Sequence, residues 1–153
     1  MHRGKPIMIH LPIKKLANFP EETFLGYATD GSAGIELAAA ENAVITNETV
    51  KVPTGIAVAI PRDWVGKIYI RSGHALKHGM QLVNAVGIID SDYRGEVLAP
   101  LRSCIPDISV HVEKGDRIAQ LLIQPCPQLH LKFVSELPET ERGEGGFGST
   151  GVK

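Results

Sequence analysis

The segment from residue 142 to residue 151, RGEGGFGSTG, combines residue types that suit a phosphate ligand. Glycine backbones approach an anion closely, and the Arg142 guanidinium offers a fork of donors to phosphate oxygens. Ser149 and Thr150 add hydroxyl donors, and Phe147 lies between glycines, where an aromatic ring can close over a flat base. We interpret this segment as a nucleotide clamp. The alternative is a glycine-rich tail that binds nothing.

A second candidate site lies within residues 84–97, NAVGIIDSDYRGEV. Asp90 and Asp92 share one face if the segment is extended, and they diverge if it turns after Asp90. In the functional interpretation one carboxylate is a general base, next to the Tyr93 ring and to Asn84, whose amide presents a donor and an acceptor to a base edge. In the alternative, the segment is a hairpin whose aspartates only cap the turn.

The tripeptide at residues 71–73, RSG, follows an apolar strand and precedes a short helical candidate, His74 to His78. An arginine, a hydroxyl and free N–H groups at a helix start favour an anion site. His74 and His78 have the i, i+4 spacing of metal ligands. Because zinc needs three or four converging groups and no third ligand is evident, we interpret both histidines as surface or structural residues.

Two polar residues interrupt small or apolar strands, Glu36 in GSAGIEL (31–37) and Gln120 in GDRIAQ (115–120). The default interpretation of such a residue is an outward-facing side chain without a role. No serine, cysteine and histidine pattern typical of an activated nucleophile is present, and covalent catalysis is therefore disfavoured.

Short apolar segments with period-two alternation dominate the rest of the chain, and ten prolines disfavour long helices. This pattern predicts an all-β sandwich, jelly roll or small barrel. Residues 114–116, KGD, predict a turn between two strands. The predicted strands are Ile35 to Ala40, Val50 to Val52, Ile56 to Ile60, Val65 to Ile70, Ile108 to Val112, Ile118 to Ile123 and Leu129 to Val134.

The 153 residues fit one domain, which we place at residues 1–138, followed by a flexible C-terminal arm at 139–153 where charge and glycine replace apolar residues. A net charge of −1 argues against a general nucleic-acid or membrane surface. No apolar run is long enough for a membrane span, and the N-terminus lacks a signal-peptide core. We expect a cytoplasmic protein in which Cys104 and Cys126 are reduced residues in or beside strands.

Taken in order, five segments of this chain resemble the trimeric dUTPases, the deoxyuridine triphosphate nucleotidohydrolases: ATDGSAGIEL, RSG, NAVGIIDSDYRGEV, GDRIAQ and RGEGGFGSTG. The resemblance spans the chain from about Ala28 to Gly151. It implies a jelly-roll-like distorted barrel with one short helix, and a homotrimer whose three active sites are each assembled from all three chains. It also implies hydrolysis of dUTP to dUMP and pyrophosphate, which supplies dUMP for thymidylate synthesis and keeps uracil out of DNA.

The resemblance further assigns roles to individual residues. Asp90 is similar to the catalytic base that orients a water against the α-phosphorus, and Tyr93 to the residue under deoxyribose. Asn84, the backbone of Gly87, Ile88 and Ile89, and the region of Leu98 resemble the elements that recognise uracil. The phosphate-contacting positions implied are Arg71, Ser72, Gly73 and Gln120, with Arg142, Ser149 and Thr150 from the arm. Phe147 covers uracil, and Gly148 is a further substrate-binding residue of the arm.

The resemblance implies Mg²⁺, bound mainly by the substrate phosphates and reached by Glu36 through water. Three positions depart from the family pattern. Glu36 stands where aspartate is usual, Ile70 where proline commonly precedes RSG, and His74 where an apolar residue is frequent. Two other interpretations are weighed beside dUTP hydrolysis. One is a related dCTP deaminase, which the DSDY segment and the complete arm disfavour, and the other is a nucleotide-binding regulatory protein, against which Asp90 argues.

Overall fold

The computed structural model describes residues 9–147. Within them the chain forms ten strands and one short helix, so the all-β prediction is confirmed. In chain order these are β1 (Ile13–Lys15), β2 (Ile35–Ala38), β3 (Ala43–Ile45), β4 (Val50–Val58), β5 (Trp64–Ile70), α1 (Ser72–His78), β6 (Met80–Leu82), β7 (Gly87–Ile89), β8 (Glu96–Ser103), β9 (Val110–Val112) and β10 (Arg117–Pro125).

The strands form two four-stranded sheets and one two-stranded sheet, and all pairs are antiparallel. The first sheet has the order β1-β4-β8-β6, the second the order β2-β10-β5-β7, and the third pairs β3 with β9. From β4 to β8, successive strands alternate between the two large sheets. This repeated crossing is typical of a jelly roll, and the predicted jelly-roll-like architecture is confirmed.

One apolar core lies between the sheets, and β8 illustrates how the sequence directs side chains into it. Alternate β8 residues, Val97, Ala99 and Leu101, are buried, while the side chains between them are more exposed. The core also takes fully buried residues from β2, β3, β4, β6 and β10. Burying one such aliphatic side chain contributes about 1.5 to 3 kcal/mol. This core therefore provides a rigid frame for the loops at its edges.

The single predicted helix is confirmed, and it starts two residues before the expected His74, at Ser72. Arg71 is its N-cap in an extended conformation. The helix ends at His78. Its C-cap, Gly79, has a φ of 58° and donates its N–H to the Ala75 carbonyl at 3.1 Å. Glycine adopts this left-handed conformation without a steric penalty. Among residues 9–147 no helix has the length and apolar content needed to cross a membrane.

Two strand predictions need correction. The segments Val50 to Val52 and Ile56 to Ile60 are not separate strands, because β4 runs through both with a register irregularity between Pro53 and Ala57. The strand predicted at Leu129 to Val134 is wrong, since no strand occurs between β10 and residue 147. The physical reason is that this segment has no partner strand within residues 9–147.

Other elements were missed by the pattern. β8 contains Pro100, and its apolar residues Val97, Leu98 and Ala99 are consecutive rather than alternating. β1, β3, β6 and β7 have only three residues each. The turn predicted at residues 114–116 is present between β9 and β10. Cys104 and Cys126 are free, and each directly follows a strand. The boundary after residue 138 stays a prediction: β10 already ends at Pro125, and most of residues 126–147 is exposed.

Candidate active site

A cavity of about 300 Å³ opens between β7 and β8, and it collects most of the residues predicted from the segment at 84–97. Its lining combines apolar side chains with a smaller number of polar and charged ones, a composition typical of small-ligand sites. The predicted residues that line it are Asn84, Gly87, Ile88, Ile89, Asp90, Tyr93 and Leu98. The structure thus brings together all the residues that the resemblance assigned to the uracil ring, the deoxyribose and the attacking water, apart from Phe147 of the arm.

The hairpin interpretation of this segment needs correction, because β7 and β8 belong to different sheets. β7 is an edge strand, and within the part of the chain that the structure describes it pairs with β5 alone. β8 pairs with β6 only from Leu101 to Ser103, and no strand within residues 9–147 pairs with residues 96–99 on that side. Two unpaired strand edges therefore face the cavity. The unpaired N–H and C=O groups of these edges are available to form hydrogen bonds with a ligand, as they would with an added strand.

Asp90 lies at the start of the turn that follows β7, where the Tyr93 N–H donates to the Asp90 carbonyl at 3.2 Å. Its side chain is exposed at the cavity rim. Asp92 does not line this cavity; it lies with Arg94 and Trp64 in a separate polar depression that Asp90 also borders. The turn thus separates the two carboxylates, and only Asp90 is positioned to act on a ligand in the cavity.

Tyr93 is held by a contact within its own turn. Its hydroxyl donates to the Glu96 carbonyl at 3.0 Å, and 43% of the residue is exposed. Gly95 makes this possible, since a Cβ added there would lie 2.6 Å from the Tyr93 Cζ atom. Atoms cannot approach so closely, and any side chain at position 95 would displace the ring. Gly95 was missed by the sequence analysis as a residue that shapes the cavity.

We expect Gly95→Ala, which displaces the Tyr93 ring, and Tyr93→Ala, which removes it, both to weaken discrimination between deoxyribose and ribose. If the Tyr93 ring excludes a 2′-hydroxyl, displacing it should narrow the ratio of kcat/KM values for dUTP and UTP by about 10-fold or more, the scale of one lost steric or polar contact. The measurement is that ratio for both variants and the parent. Gly31→Ala is the control, because a Cβ at Gly31 meets no atom within 4 Å. An unchanged ratio in both variants would move sugar selection elsewhere.

A second cluster lies on one face of the sheet β2-β10-β5. Gln120 is directly opposite Glu36 on one side and Tyr69 on the other, so the three side chains share a face. Arg71 follows β5 two residues after Tyr69, and its Nε atom lies 3.0 Å from Glu36 Oε2. The predicted phosphate-contacting residues Arg71 and Gln120 therefore adjoin the predicted metal residue Glu36. Tyr69 was missed, and its register opposite Gln120 identifies it only once the strands are paired.

Glu36 is not the outward-facing strand residue of the default interpretation. It is 6% exposed and forms an ion pair with Arg71. A buried carboxylate without a partner is strongly disfavoured, so the pairing explains why this charge is tolerated among small strand residues. Ser72 and Gly73, by contrast, are exposed at the start of α1, and a Cβ on Gly73 would meet no atom within 4 Å. The surface above them is open to a ligand.

The structure does not bring all predicted residues together in one chain. None of Glu36, Arg71, Ser72, Gly73 and Gln120 lines the cavity between β7 and β8. In the arm, Arg142 donates through Nε to the Gly145 carbonyl at 2.8 Å, and Phe147 is fully exposed. The predicted residues Gly148, Ser149 and Thr150 lie outside the described residues.

The two histidines of α1 differ in their contacts. His74 Nε2 lies 2.9 Å from the Arg117 carbonyl, whereas His78 is exposed with its ring 5.9 Å from that of His74. Within residues 9–147 no group of three or more His, Cys, Asp or Glu side chains converges as a metal site.

The cavity between β7 and β8 also includes residues that sequence reasoning missed: Lys51, Ile68, Glu96, Val97 and Pro100. Lys51 is brought to the cavity by the β4–β8 register, where it is paired with Pro100. That register is known only once the strands are paired, so the sequence carried no direct signal for it.

The jelly-roll fold and the small cavity at two unpaired strand edges indicate a ligand-binding β-domain. Comparison with known proteins identifies its family. The dUTPase family model matches residues 21–151. A deoxyuridine 5'-triphosphate nucleotidohydrolase of Wolbachia pipientis is 44% identical and covers 99% of both chains. The corresponding protein of Rickettsia felis is 46% identical over 92% of this chain and 95% of its own.

Among solved structures, the dUTPase of Staphylococcus bacteriophage 80alpha with dUpNHpp has a TM-score of 0.82 and 29% identity, covering 95% of this chain and all of that one. A mutant of the 80alpha phage dUTPase has a TM-score of 0.83 at 30% identity, covering 92% of this chain and 98% of that one. The chain belongs to the dUTPase family.

Proposed function

We propose that the protein hydrolyses dUTP to dUMP and pyrophosphate, with Asp90 as the general base that orients the attacking water against the α-phosphorus. This supplies dUMP for thymidylate synthesis and keeps uracil out of DNA. The observation that carries the proposal is the cavity between β7 and β8, where Asp90 stands at the rim beside Tyr93 and Asn84. A carboxylate that is exposed at the edge of a ligand cavity is positioned to take a proton from water.

Recognition of uracil follows from the unpaired strand edges. The edge backbone from Gly87 to Ile89 and the backbone near Leu98 offer donors and acceptors in fixed positions, and the Asn84 amide adds one of each. Cytosine reverses the donor and acceptor polarity of the uracil edge. Because a buried polar group left unpaired costs about 1 to 3 kcal/mol, such a pocket rejects cytosine without any further device.

The triphosphate is assigned to the second cluster and the arm. Arg71, Ser72, Gly73 and Gln120 contact the phosphates from the sheet and the helix start, where the open surface above Gly73 supports close approach. Arg142, Ser149 and Thr150 of the arm contact the γ-phosphate, Phe147 covers uracil, and Gly148 between them is a further substrate-binding residue. The exposed ring of Phe147 supports this role, since it has no core contact to lose.

We propose a homotrimer in which neighbouring chains complete each active site. The separation of the phosphate-binding candidates from the nucleoside cavity within one chain supports shared sites. The segment after β10 also supports association: Leu129, Leu131 and Phe133 alternate in sequence and are 75% to 94% exposed. An extended segment with one apolar side is stabilised when that side is buried against a sheet, and a sheet of a second copy of the chain can bury it. Light scattering of the purified protein tests the trimer.

Magnesium fits this site as a substrate-borne ion. Mg²⁺ prefers oxygen ligands and retains water, and a triphosphate supplies such ligands. Glu36 offers a carboxylate in the phosphate cluster beside Arg71, and it would reach the ion through a water. When bound, the ion supplies charge neutralisation for the triphosphate. The nearly neutral chain itself provides only local cations, above all Arg71.

The experiment that tests the function is pyrophosphate release from dUTP, dTTP, dCTP and UTP, with and without magnesium. We expect release from dUTP alone at a substantial rate, and only with the metal. Ammonia release from dCTP would favour the deaminase instead, and tight dUTP binding without any turnover would favour a regulatory nucleotide-binding protein. The two free cysteines fit a reducing compartment, so a cytoplasmic location remains part of this proposal.

The metal role of Glu36 has its own test. Glu36→Gln removes the charge but keeps the shape, so we expect a severalfold increase in the magnesium concentration that gives half the maximal rate, in line with the modest energy of a contact made through water. Glu41→Gln is the matched control, because Glu41 is an exposed carboxylate beyond the same strand. Superimposable magnesium titrations for the parent and the Glu36 variant would leave Glu36 only its contact with Arg71.

A further inference from the structure

The side chain of Arg71 is held by two groups, and one of them is unexpected. Its Nη1 atom donates to the Arg117 carbonyl at 3.2 Å, and its Nε atom faces Glu36 Oε2. The same Arg117 carbonyl is 2.9 Å from His74 Nε2. A carbonyl oxygen has two lone pairs and only accepts, so the facing nitrogen of His74 must carry a hydrogen. Arg71 and His74 therefore share one acceptor.

The ion pair with Glu36 does not orient Arg71 by itself. The two atoms are 3.0 Å apart, yet neither makes a hydrogen bond of acceptable geometry, and both are buried. An ion pair without alignment attracts the guanidinium but leaves its plane free to rotate. The direction comes from the bond to the Arg117 carbonyl, since hydrogen bonds weaken steeply when they are bent.

The Arg117 carbonyl is available because of an irregularity in the sheet. Arg117 is the first residue of β10, and the register with β2 shifts between Arg117 and Ala119. A bulge of this kind disrupts the ladder locally and frees a backbone group. His74, three residues after Arg71 on α1, reaches that carbonyl and fixes it from the helix side.

Three side-chain atoms within residues 9–147 are buried without a hydrogen-bond partner, and all three belong to this cluster: Glu36 Oε2, Arg71 Nε and His74 Nδ1. Buried polar atoms are normally paired, and exceptions concentrate where a ligand or a functional constraint decides the arrangement.

We propose that His74 is a positioning residue for Arg71: by binding the Arg117 carbonyl it fixes the acceptor that aims the guanidinium at the substrate phosphates. The proposal rests on the proposed function, in which Arg71 contacts dUTP. It gives the polar residue at position 74 a role that an apolar residue cannot fill.

The test compares His74→Leu, which removes the donor, with His74→Gln, whose amide nitrogen has about the reach of Nε2 and keeps it. We expect His74→Leu to lower kcat/KM for dUTP by about 3- to 10-fold, the range of one neutral hydrogen bond, and His74→Gln to restore it to within about 2-fold. Inhibition by deoxyuridine, which has no phosphate, should be unchanged in both variants. His78→Leu, the exposed histidine on the same helix, is the control and should match the parent.

A double-mutant cycle separates positioning from general packing. In an Arg71→Ala background, His74→Leu should have no further effect on kcat/KM, because the residue it orients is absent. An equal loss in that background, failure of the Gln variant to restore activity, or weaker deoxyuridine inhibition in the Leu variant would overturn the proposal. If the parent hydrolyses dUTP and the His74→Leu variant is equally active, the role of His74 is refuted and the proposed function is not. A parent that does not hydrolyse dUTP would refute the proposed function and this role with it.

Discussion

Asp90→Asn is expected to lower dUTP turnover by about 100- to 10,000-fold, the usual contribution of a positioned general base. The amide keeps the size of the side chain and part of its hydrogen bonding, but it cannot accept a proton from water. Because Asp90 is an exposed rim residue outside the core, its replacement should leave folding unaffected. The measurements are single-turnover rates, binding of the analogue dUpNHpp and thermal unfolding.

The control for Asp90 is Asp92→Asn, two residues further along the same turn. Asp92 is exposed and lies outside the cavity between β7 and β8, so this variant should retain turnover within a few fold of the parent. A fully active Asp90→Asn protein, or an equal loss in both variants, would remove Asp90 from the role of base. Loss of dUpNHpp binding in Asp90→Asn would instead assign the residue to substrate binding.

Ending the chain after Glu141 should lower turnover by about 100-fold or more without unfolding the protein. The segment removed contains Arg142 and Phe147, and loss of even one donor that stabilises charge in a closed site costs about 100- to 1,000-fold. No residue from 142 to 147 contributes to the apolar core, and Phe147 is fully exposed. The thermal midpoint and the number of subunits in the oligomer should therefore match those of the parent.

Mixing two inactive proteins tests whether the arm and the catalytic residue Asp90 of one active site come from different chains. The truncated protein keeps Asp90, and the Asp90→Asn protein keeps the arm. If neighbouring chains share each site, unfolding and refolding the mixture together should restore about one site in four by random assembly. No recovery in a mixture that has formed mixed trimers would place the base and the arm in the same chain. Normal turnover of the truncated protein would return the arm to the interpretation of a tail without a ligand.

Much of the candidate site could be predicted from residue types and order, because its segments are short and local. Gly87 to Ile89, Asp90 and Tyr93 follow one another closely in sequence, and a turn between two strands is enough to bring them to one cavity. Gly95 was not predicted, since its importance lies in the space that the Tyr93 ring occupies. A close contact of this kind has no signature in composition or periodicity.

The period-two alternation also misled at specific places. The apolar residues from Leu129 to Phe133 have the period of a strand, yet they are exposed and unpaired within residues 9–147. Period-two alternation reports that a segment can bury one side, and it does not say whether the partner belongs to the same chain. β8 contains Pro100 and was not predicted as a strand, although the burial of its residues alternates regularly.

The sequence by itself determined the all-β class, the single short helix, the family and the set of residue types that a triphosphate and a uracil base require. Each of these depends on local order along the chain. Only the tertiary structure decided that β7 and β8 lie in different sheets and leave two edges open to a ligand. It alone paired Glu36 with Arg71 and brought His74 to the carbonyl of Arg117, 43 residues away. Sheet register and the bulge in β10 create these contacts, and register is a property of strand pairs that no single segment contains.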